Sequence, residues 1–505
     1  MSALTELLEC SGPVRGSVPV AFDELARTVA TMLEHRYRLA LVCATDSGLE
    51  LRVNYLFVAG PPDRRIELVL STDREKPRVP SLASQSFPAS RFEREMHDLF
   101  GVEPVGHPAP RRLVLHQHWP EGWHPMRRDA PASVPMAEDS GPYPFVEVQG
   151  RGVYEIPVGP VHAGLIEPGH FRFSVVGETI LKMKARLWFV HKGVERLFEG
   201  RDFVSGVELA EKVSGDSAVG HSLAFCRAVE EALGVTVSRR AQELRVVLLE
   251  LERLYNHVAD IGALCNDVGF GLAQAKALTL RERLLRLNRT VSGHRLLRGG
   301  VRVGGAKVLA MPDGAELDSI TEQFAELVAL ARAQGTVMDR FTGTGVLGPD
   351  DAQALGVLGV VARASGSTYD ARRAHPTDLP LVDFAPASLT EGDVRARFDV
   401  RVDEVAASMI LLHDFCARAG ELDASEPSNA SSLTGSGSGS GIVEGWRGAI
   451  VHRVEVEQGV LTRVKVVDPS FFNWPALAVS LADTIVPDFP LVNKSFNLSY
   501  AGNDL

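Results

Sequence analysis

At 505 residues the chain is too long for one ordinary core, and its 45% hydrophobic and 23% charged content is that of a globular protein of two to four domains. The net charge of −11, with Lys and Arg spread along the chain, excludes an electrostatic footprint for nucleic acid. No apolar run approaches the ~18 to 20 residues that span a bilayer, and Met1 to Arg15 has no apolar signal-peptide core, so a cytoplasmic chain is expected unless a partner anchors it.

The spacing predicts a helix over residues 22–36, followed by the β-rich runs RLALVCAT, LELRVNYLFVAG and IELVLSTD. With the short helix RFEREMHDLFG (Arg91 to Gly101), this reads as a small α+β domain. Pro, Gly and Ser crowd Pro131 to Pro144, which places a boundary there and divides the chain into 1–140 and 141–505. The second region opens with strand-like VYEIPVG, HFRFSVVG and ETILKMKARL. It continues with AQELRVVLLELERLYNHVADIGALCND, where Leu244, Val247, Leu248, Leu251, Leu254, Tyr255 and Val258 recur at helical spacing. Further helices are expected within 273–297, 314–337, 350–363 and 403–420. By composition, residues 425–441 (SEPSNASSLTGSGSGSG) are a flexible linker, followed by alternating strands. The aromatic-rich tail from Pro469 to Leu505 is expected to pack on the body.

The stretch VSGDSAVGH, Val213 to His221, lies in what reads as a buried helix. Ser214 and Ser217 would then share one face with His221 a turn further on, which is metal-site spacing with hydroxyls where thiolates would stand. The five cysteines are widely spaced and form no CxxC, which argues against a disulfide framework and against a cluster held by this chain alone. Cys226 and Cys265 read as inert core residues. GTGVLG, Gly343 to Gly348, fits GxGxxG but lacks the strand before and the βαβ unit after, and is read as a turn.

Several of these segments resemble one superfamily, the subunits shared by respiratory complex I and the group 4 membrane-bound nickel–iron hydrogenases. RFEREMHDLFGVEPVGHPAPRRL with EGWHPMRRD is similar to the 30 kDa subunit of complex I. IPVGPVHAGLIEPGHFRFSVVGE, VHKGVERLFEGR, ELERLYNHVADIGALCNDVGF, LLRGGVRVGG and STYDARRAHP resemble the 49 kDa subunit and its hydrogenase large-subunit relatives. Fusion of both in one chain is typical of the formate hydrogenlyase branch. The implied fold is a small N-terminal α/β-meander domain, then a mainly helical domain with peripheral strands, α+β overall.

By this resemblance, the first pair of nickel–iron cysteines falls on Ser214 and Ser217. The second falls on Ser470 and Asn473 in VDPSFFNW, which keeps the Asp468-Pro469 lead-in. Hydroxyls and an amide are poor ligands where soft thiolates bridge the metals, so no metal is expected in this chain. In the complex I relatives a histidine and a tyrosine hold the quinone head group. His162 or His170 stands for the histidine, the tyrosine position falls on Gly215, and Asp267 matches the aspartate that pairs with the histidine. Glu167 matches the hydrogenase proton-carrying glutamate, or is a loop or helix-end carboxylate paired with an arginine. His221 contacts a cofactor or is a satisfied core histidine. Asp370, Arg372, Arg373 and His375 fall in a loop that faces the small subunit and its cluster in the relatives, or form interfacial salt bridges there.

The resemblance thus implies a peripheral-arm subunit on the cytoplasmic side of the membrane. It passes electrons from a [4Fe–4S] cluster in a partner small subunit to a quinone or other small acceptor, beside membrane subunits related to antiporters. A redox-inactive scaffold and a hydrogenase with atypical ligands are the alternatives. The expected pocket is lined by His162, Glu167, His170, Ser214, Ser217, His221, Asp267 and Asp370.

Overall fold

The computed structural model describes residues 2–136, 141, 143–163, 166–376, 384–419 and 434–505. Its N-terminal part runs α1 (Ser2–Glu9), β1 (Val14–Pro19), α2 (Leu25–Glu34), β2 (Arg38–Asp46), β3 (Leu51–Ala59), β4 (Arg64–Thr72), β5 (Arg78–Pro80), α3 (Phe87–Phe100) and β6 (Glu103–Val105). Strands β2, β3 and β4 form the antiparallel meander, and β1 adds to β4 in parallel. β2 and β3 are buried along almost their whole length, on both faces. A one-faced sheet would alternate, and here the second face is covered by the rest of the chain.

The second part opens with the antiparallel sheet β7 (Val153–Val158), β8 (His170–Val176) and β9 (Thr179–Arg186). Helices follow: α4 (Val194–Phe198), α5 (Phe203–Ala210), α6 (Ala218–Leu233), α7 (Arg239–Asp267) and α8 (Gly271–Ser292). After the short hairpin β10 (Val301–Arg302) and β11 (Gly305–Ala306) come α9 (Gly314–Ala333), α10 (Gly335–Phe341), α11 (Pro349–Leu355), α12 (Gly359–Ala364), α13 (Ala371–Ala374) and α14 (Val394–Ala419). The sheet β12 (Gly437–Gly445), β13 (Gly448–Glu457) and β14 (Val460–Val467) precedes α15 (Pro469–Ser480), α16 (Phe489–Phe496) and α17 (Tyr500–Asp504). The axis of this part is α7, packed by α6, α8, α14 and α16 and buried on nearly every side. Among the described residues no helix is long and apolar enough to cross a membrane.

The two parts are joined by buried charge. Lys465 Nζ lies 2.6 Å from Glu95, Arg453 Nε pairs with Glu67, and Arg463 Nε donates to the Ala44 carbonyl at 3.0 Å. Phe92 of α3 stacks on Phe471 of α15, with centroids 4.6 Å apart.

Two expectations are corrected. Residues 425–433 lie outside the described residues, but Gly437 to Gly441, expected in a flexible linker, are part of strand β12. Their composition serves packing. A Cβ on Gly437, Gly439 or Gly441 would stand 2.2, 2.4 or 2.0 Å from the carbonyl oxygens of Ala232, Ala228 and Ala224 respectively. Every second strand residue meets every fourth helical one, because two strand steps (~6.8 Å) nearly match four helical steps (~6 Å). The second correction concerns Ser214 and Ser217, which are not on a helix. The chain turns between α5 and α6, and Ser217 caps α6 with φ −127° and ψ 38°. Continuation is blocked because the Asp216 carbonyl is taken by Asn256 Nδ2 (2.8 Å), Trp446 Nε1 (3.0 Å) and Tyr255 Oη (3.3 Å). Gly220 N–H, its would-be helical partner, donates instead to Glu252.

Candidate functional site

The turn at 211–217, the β7–β8 loop and the C-terminal segment enclose a cleft of about 850 Å³. Its walls are apolar, with Ile166, Phe171, Phe173, Val486, Phe489 and Leu498 among them. Its polar end is built on Asp216 and Arg447, which pair through two bonds of 2.7 Å. Burial opposes ionisation of Asp216, but the Arg447 guanidinium and the hydroxyls of Ser214 and Ser217 hold its carboxyl below the ordinary value. Arg447 also lies over the Trp446 ring, 3.8 Å from its centroid.

Each of the four positions at issue is engaged within the protein. Ser214 Oγ is 2.9 Å from Asp216 Oδ1 and 2.8 Å from Ser499 Oγ. Ser217 Oγ accepts from Trp446 Nε1 at 3.1 Å and lies 3.3 Å from Asp216 Oδ1. Ser470 Oγ accepts the Ser499 N–H at 2.9 Å. The Asn473 amide closes on the backbone of Leu358, accepting its N–H at 2.8 Å and donating to its carbonyl at 3.1 Å. Among the described residues no group of three or more His, Cys, Asp or Glu side chains is arranged to hold a metal ion.

Of the expected lining, the cleft brings together His162, Glu167, Ser214 and Asp267. His162 Nε2 is 2.8 Å from the Gly169 carbonyl, and Glu167 accepts the Ala501 N–H at 3.0 Å, at the start of α17. Glu167 is thus a helix-end carboxylate that also faces the cleft, and its partner is a backbone amide. Asp267 is raised above the ordinary carboxyl value by burial, and its Oδ2 has no hydrogen-bond partner among the described residues. Gly215 lies in the lining with open space where a Cβ would point, so no side chain reaches in from the expected tyrosine position.

The remaining expected residues stand elsewhere. His221 is fully buried below the cleft, with Nε2 3.1 Å from Asp468 and Nδ1 3.0 Å from His452 Nε2. His170 sits behind the β7–β8 loop, its Nδ1 3.3 Å from the Gly159 carbonyl. Asp370 and Arg372 belong to a buried ion cluster in which Arg372 pairs with Asp370 (2.7 Å) and Glu250 (3.2 Å), and Arg363 pairs with Glu404 (2.7 Å) and Glu444 (2.8 Å). His375 is paired with Asp63 at 2.6 Å, across to the N-terminal domain, while Arg373 points to solvent. For Asp370, Arg372 and His375 the geometry is that of ion pairs inside the chain.

Sequence reasoning missed Asp216, Arg447, Ser499, Lys494 and Tyr500, all of which line the cleft. Tyr500 Oη is buried beside the Asn493 side chain, and burial pushes its phenol up to about 12 against the opposing pull of Asn493. The available signals were weak: an arginine beside tryptophan in the tight turn EGWRG, and one tyrosine in the apolar tail SFNLSYAGNDL.

An N-terminal meander domain docked on a mainly helical body places the chain in the complex I-like fold class. Residues 18–135 match the model of the respiratory-chain NADH dehydrogenase 30 kDa subunit, and residues 267–433 match that of the 49 kDa subunit. Formate hydrogenlyase subunit 5 of Escherichia coli strain K12 is 31% identical over 459 residues, covering 87% of this chain and 79% of the relative. Hydrogenase-4 component G of the same organism is 32% identical over 438 residues, covering 86% and 77%. An NADH-quinone oxidoreductase subunit of Phocaeicola vulgatus is 31% identical over 372 residues, covering 68% and 70%. Among solved structures, a chain of the membrane-bound sulfane sulfur reductase, an archaeal respiratory membrane complex, shares the fold. Its TM-score is 0.65 at 23% identity, over 72% of this chain and all of that one. The chain belongs to the family of fused 30 kDa-type and 49 kDa-type subunits of complex I-related and membrane-bound hydrogenase-related complexes.

Proposed function

We propose that this subunit works without a nickel–iron centre and passes electrons from an iron–sulfur cluster in a partner small subunit to a quinone-type acceptor bound in the cleft. The observation that carries the reading is the state of the four positions where relatives would place thiolates. They present three hydroxyls and an amide, each spent on an internal hydrogen bond, with Arg447 held against Ser217 by Asp216. Hard, neutral oxygen donors do not fit a bridged nickel–iron pair, and a guanidinium beside them opposes a cation. The cleft supports an organic acceptor instead. It is large, has apolar walls, and offers a buried carboxyl oxygen with no hydrogen-bond partner among the described residues, Asp267 Oδ2, together with the buried phenol of Tyr500.

In this reading the acceptor's ring lies between the apolar walls, and the Tyr500 hydroxyl donates to one head-group oxygen. Asp267, kept protonated more readily by burial, supplies a proton as charge builds on the other. Reduction takes two electrons from the partner's cluster and two protons through the protein. Peripheral attachment to membrane-embedded subunits follows from the same family placement. The test is metal analysis and hydrogen uptake on the purified complex, alongside reduction of a water-soluble quinone analogue. Absence of nickel with acceptor reduction that Tyr500→Phe weakens is the expected result. Stoichiometric nickel with hydrogen uptake would overturn it in favour of a hydrogenase with unusual ligands. A nickel-free complex that reduces no quinone analogue would leave the scaffold reading.

A further inference from the structure

A second cavity, of about 270 Å³, lies where α3, β9 and α15 meet. Trp474 stands between it and the cleft. The indole lines the second cavity, stacks on Phe171 (6.0 Å) and meets Tyr500 edge-on (4.9 Å). The charged residues of this cavity are all cations: Arg91, Arg94, Arg111, Lys184 and Arg186. Lys184 is matched by Glu155.

Arg91, Arg94 and Arg186 are not matched, and among the described residues none of them forms an ion pair with a carboxylate. Arg94 donates to the carbonyls of Arg111 (2.6 Å) and Arg112 (2.9 Å). Arg186 donates to those of Leu113 and Leu115, and Arg91 to the side-chain oxygen of Asn503 at 3.1 Å. The Nε atoms of Arg91 and Arg186 are buried with no acceptor. Three carboxylates nearby act on these arginines through space, each with hydrogen bonds elsewhere: Asp98 Oδ2 accepts the three backbone N–H groups of Leu113, Val114 and Leu115, Glu95 is paired with Lys465, and Asp504 accepts from Val190 N–H and the Asn503 amide.

Arg227 is in a similar state, donating to the Ile442 carbonyl at 2.8 Å with no carboxylate paired to it among the described residues, but most other buried arginines are paired. The deeply buried Arg253, Arg363, Arg401 and Arg463 each face a carboxylate within 3 Å. Arg397 has none, but all three of its nitrogens find neutral acceptors. Gathering several guanidiniums in a recess with no carboxylate paired directly to any of them is unfavourable, and a bound anion offsets that cost. The planar fork of arginine suits the oxygens of phosphate. Burial, with Arg94 next in weight, pushes Arg91 down to about 9, a strain that a bound anion relieves.

We propose that this cavity binds a small oxyanion of the phosphate class, as the free ion or a phosphomonoester, with Arg91, Arg94 and Arg186 as its ligands. A volume of 270 Å³ admits phosphate or a short ester, several times the ~30 Å³ that one water occupies.

The test is calorimetric titration and thermal unfolding of the full chain with inorganic phosphate and with glycerol 3-phosphate, against sodium chloride of equal ionic strength. A phosphate-specific rise in unfolding temperature is expected, with affinity at least tenfold weaker in Arg94→Gln and in Arg91→Gln. Arg111→Gln changes an exposed lining residue and provides a folded comparison if the other two variants are unstable; it should weaken binding by a smaller factor. Tighter binding of the ester than of phosphate identifies a phosphorylated small molecule, and the reverse identifies the free ion. No stabilisation beyond the chloride control, or a shift unchanged in all three variants, overturns the proposal.

Discussion

Arg447 and Asp216 meet fork to fork, each of two guanidinium nitrogens 2.7 Å from one carboxylate oxygen, at the polar end of the cleft. The arginine is buried, so its charge depends on this partner. Asp216→Asn should destabilise the chain by about 1 kcal/mol in urea unfolding, because the Asp216 side chain is 40% exposed and solvent screens much of the pair. Arg447→Lys should rescue little of what Arg447→Met loses, since an ammonium reproduces only one arm of the fork. Equal stability of wild type and Asp216→Asn would mean that the pair is not formed in solution.

Tyr500 separates a binding role from a packing role. Its hydroxyl is buried with at most the Asn493 side chain beside it, so Tyr500→Phe should change stability by no more than about 1 kcal/mol. The same variant should lower kcat/KM for a quinone analogue by one to two orders of magnitude if that hydroxyl meets the substrate. Loss of stability without loss of activity would sink the assignment.

Glu252 links the site to pH. Burial pushes its carboxyl from 4.5 up to about 8, against the opposing pull of the Val219 and Gly220 N–H groups. The folded state then keeps a proton that the unfolded chain releases near pH 4. This contribution is fully present below pH 4 and lost as pH rises through about 8, at ~1.4 kcal/mol per unit. The stability difference between wild type and Glu252→Gln should therefore change steadily across that window and flatten above it. Parallel curves would show that Glu252 is already ionised in the folded protein.

Gly441→Ala places a methyl group against the Ala224 carbonyl of α6, where no flexible side chain can yield. The expected cost exceeds about 3 kcal/mol. Gly314→Ala, at the first turn of α9 with open space around it, should be neutral or slightly stabilising. A flexible linker at 425–441 would tolerate Gly441→Ala as well as α9 tolerates Gly314→Ala, so comparing their unfolding midpoints discriminates.

What the sequence made legible was what local pattern controls. The apolar spacing of Leu244 to Val258 marks α7, and β-rich apolar runs broken by turn residues mark β2 to β4. Predicted helices were split or shortened where glycine turns the chain left-handed, as at Gly293 (φ 87°) and Gly356 (φ 68°). Gly437 to Gly441 read as a linker because their role is to present no side chain to α6, and that need is visible only from the helix. The turn at Ser214 was hidden for a similar reason. The donors that hold the Asp216 carbonyl come from Tyr255, Asn256 and Trp446, up to 230 residues away. The cleft residues recovered, His162, Glu167 and Asp267, lie in motifs with a family likeness. Arg447 and Tyr500 reach the cleft from distant segments that carry no such spacing.

The ion pairs between the two parts of the chain also set an order in time. Glu95 is separated by 370 residues from Lys465, the cation that neutralises it in the finished protein. At ~5 to 20 residues per second, the ribosome needs roughly 20 to 75 seconds to deliver that lysine. Until then the face of the N-terminal domain that carries Glu67 of β4 and Glu95 of α3 must stay hydrated and loosely closed. The N-terminal domain therefore reaches its final packing only after the last strands have been made, and its maturation is a late event of synthesis.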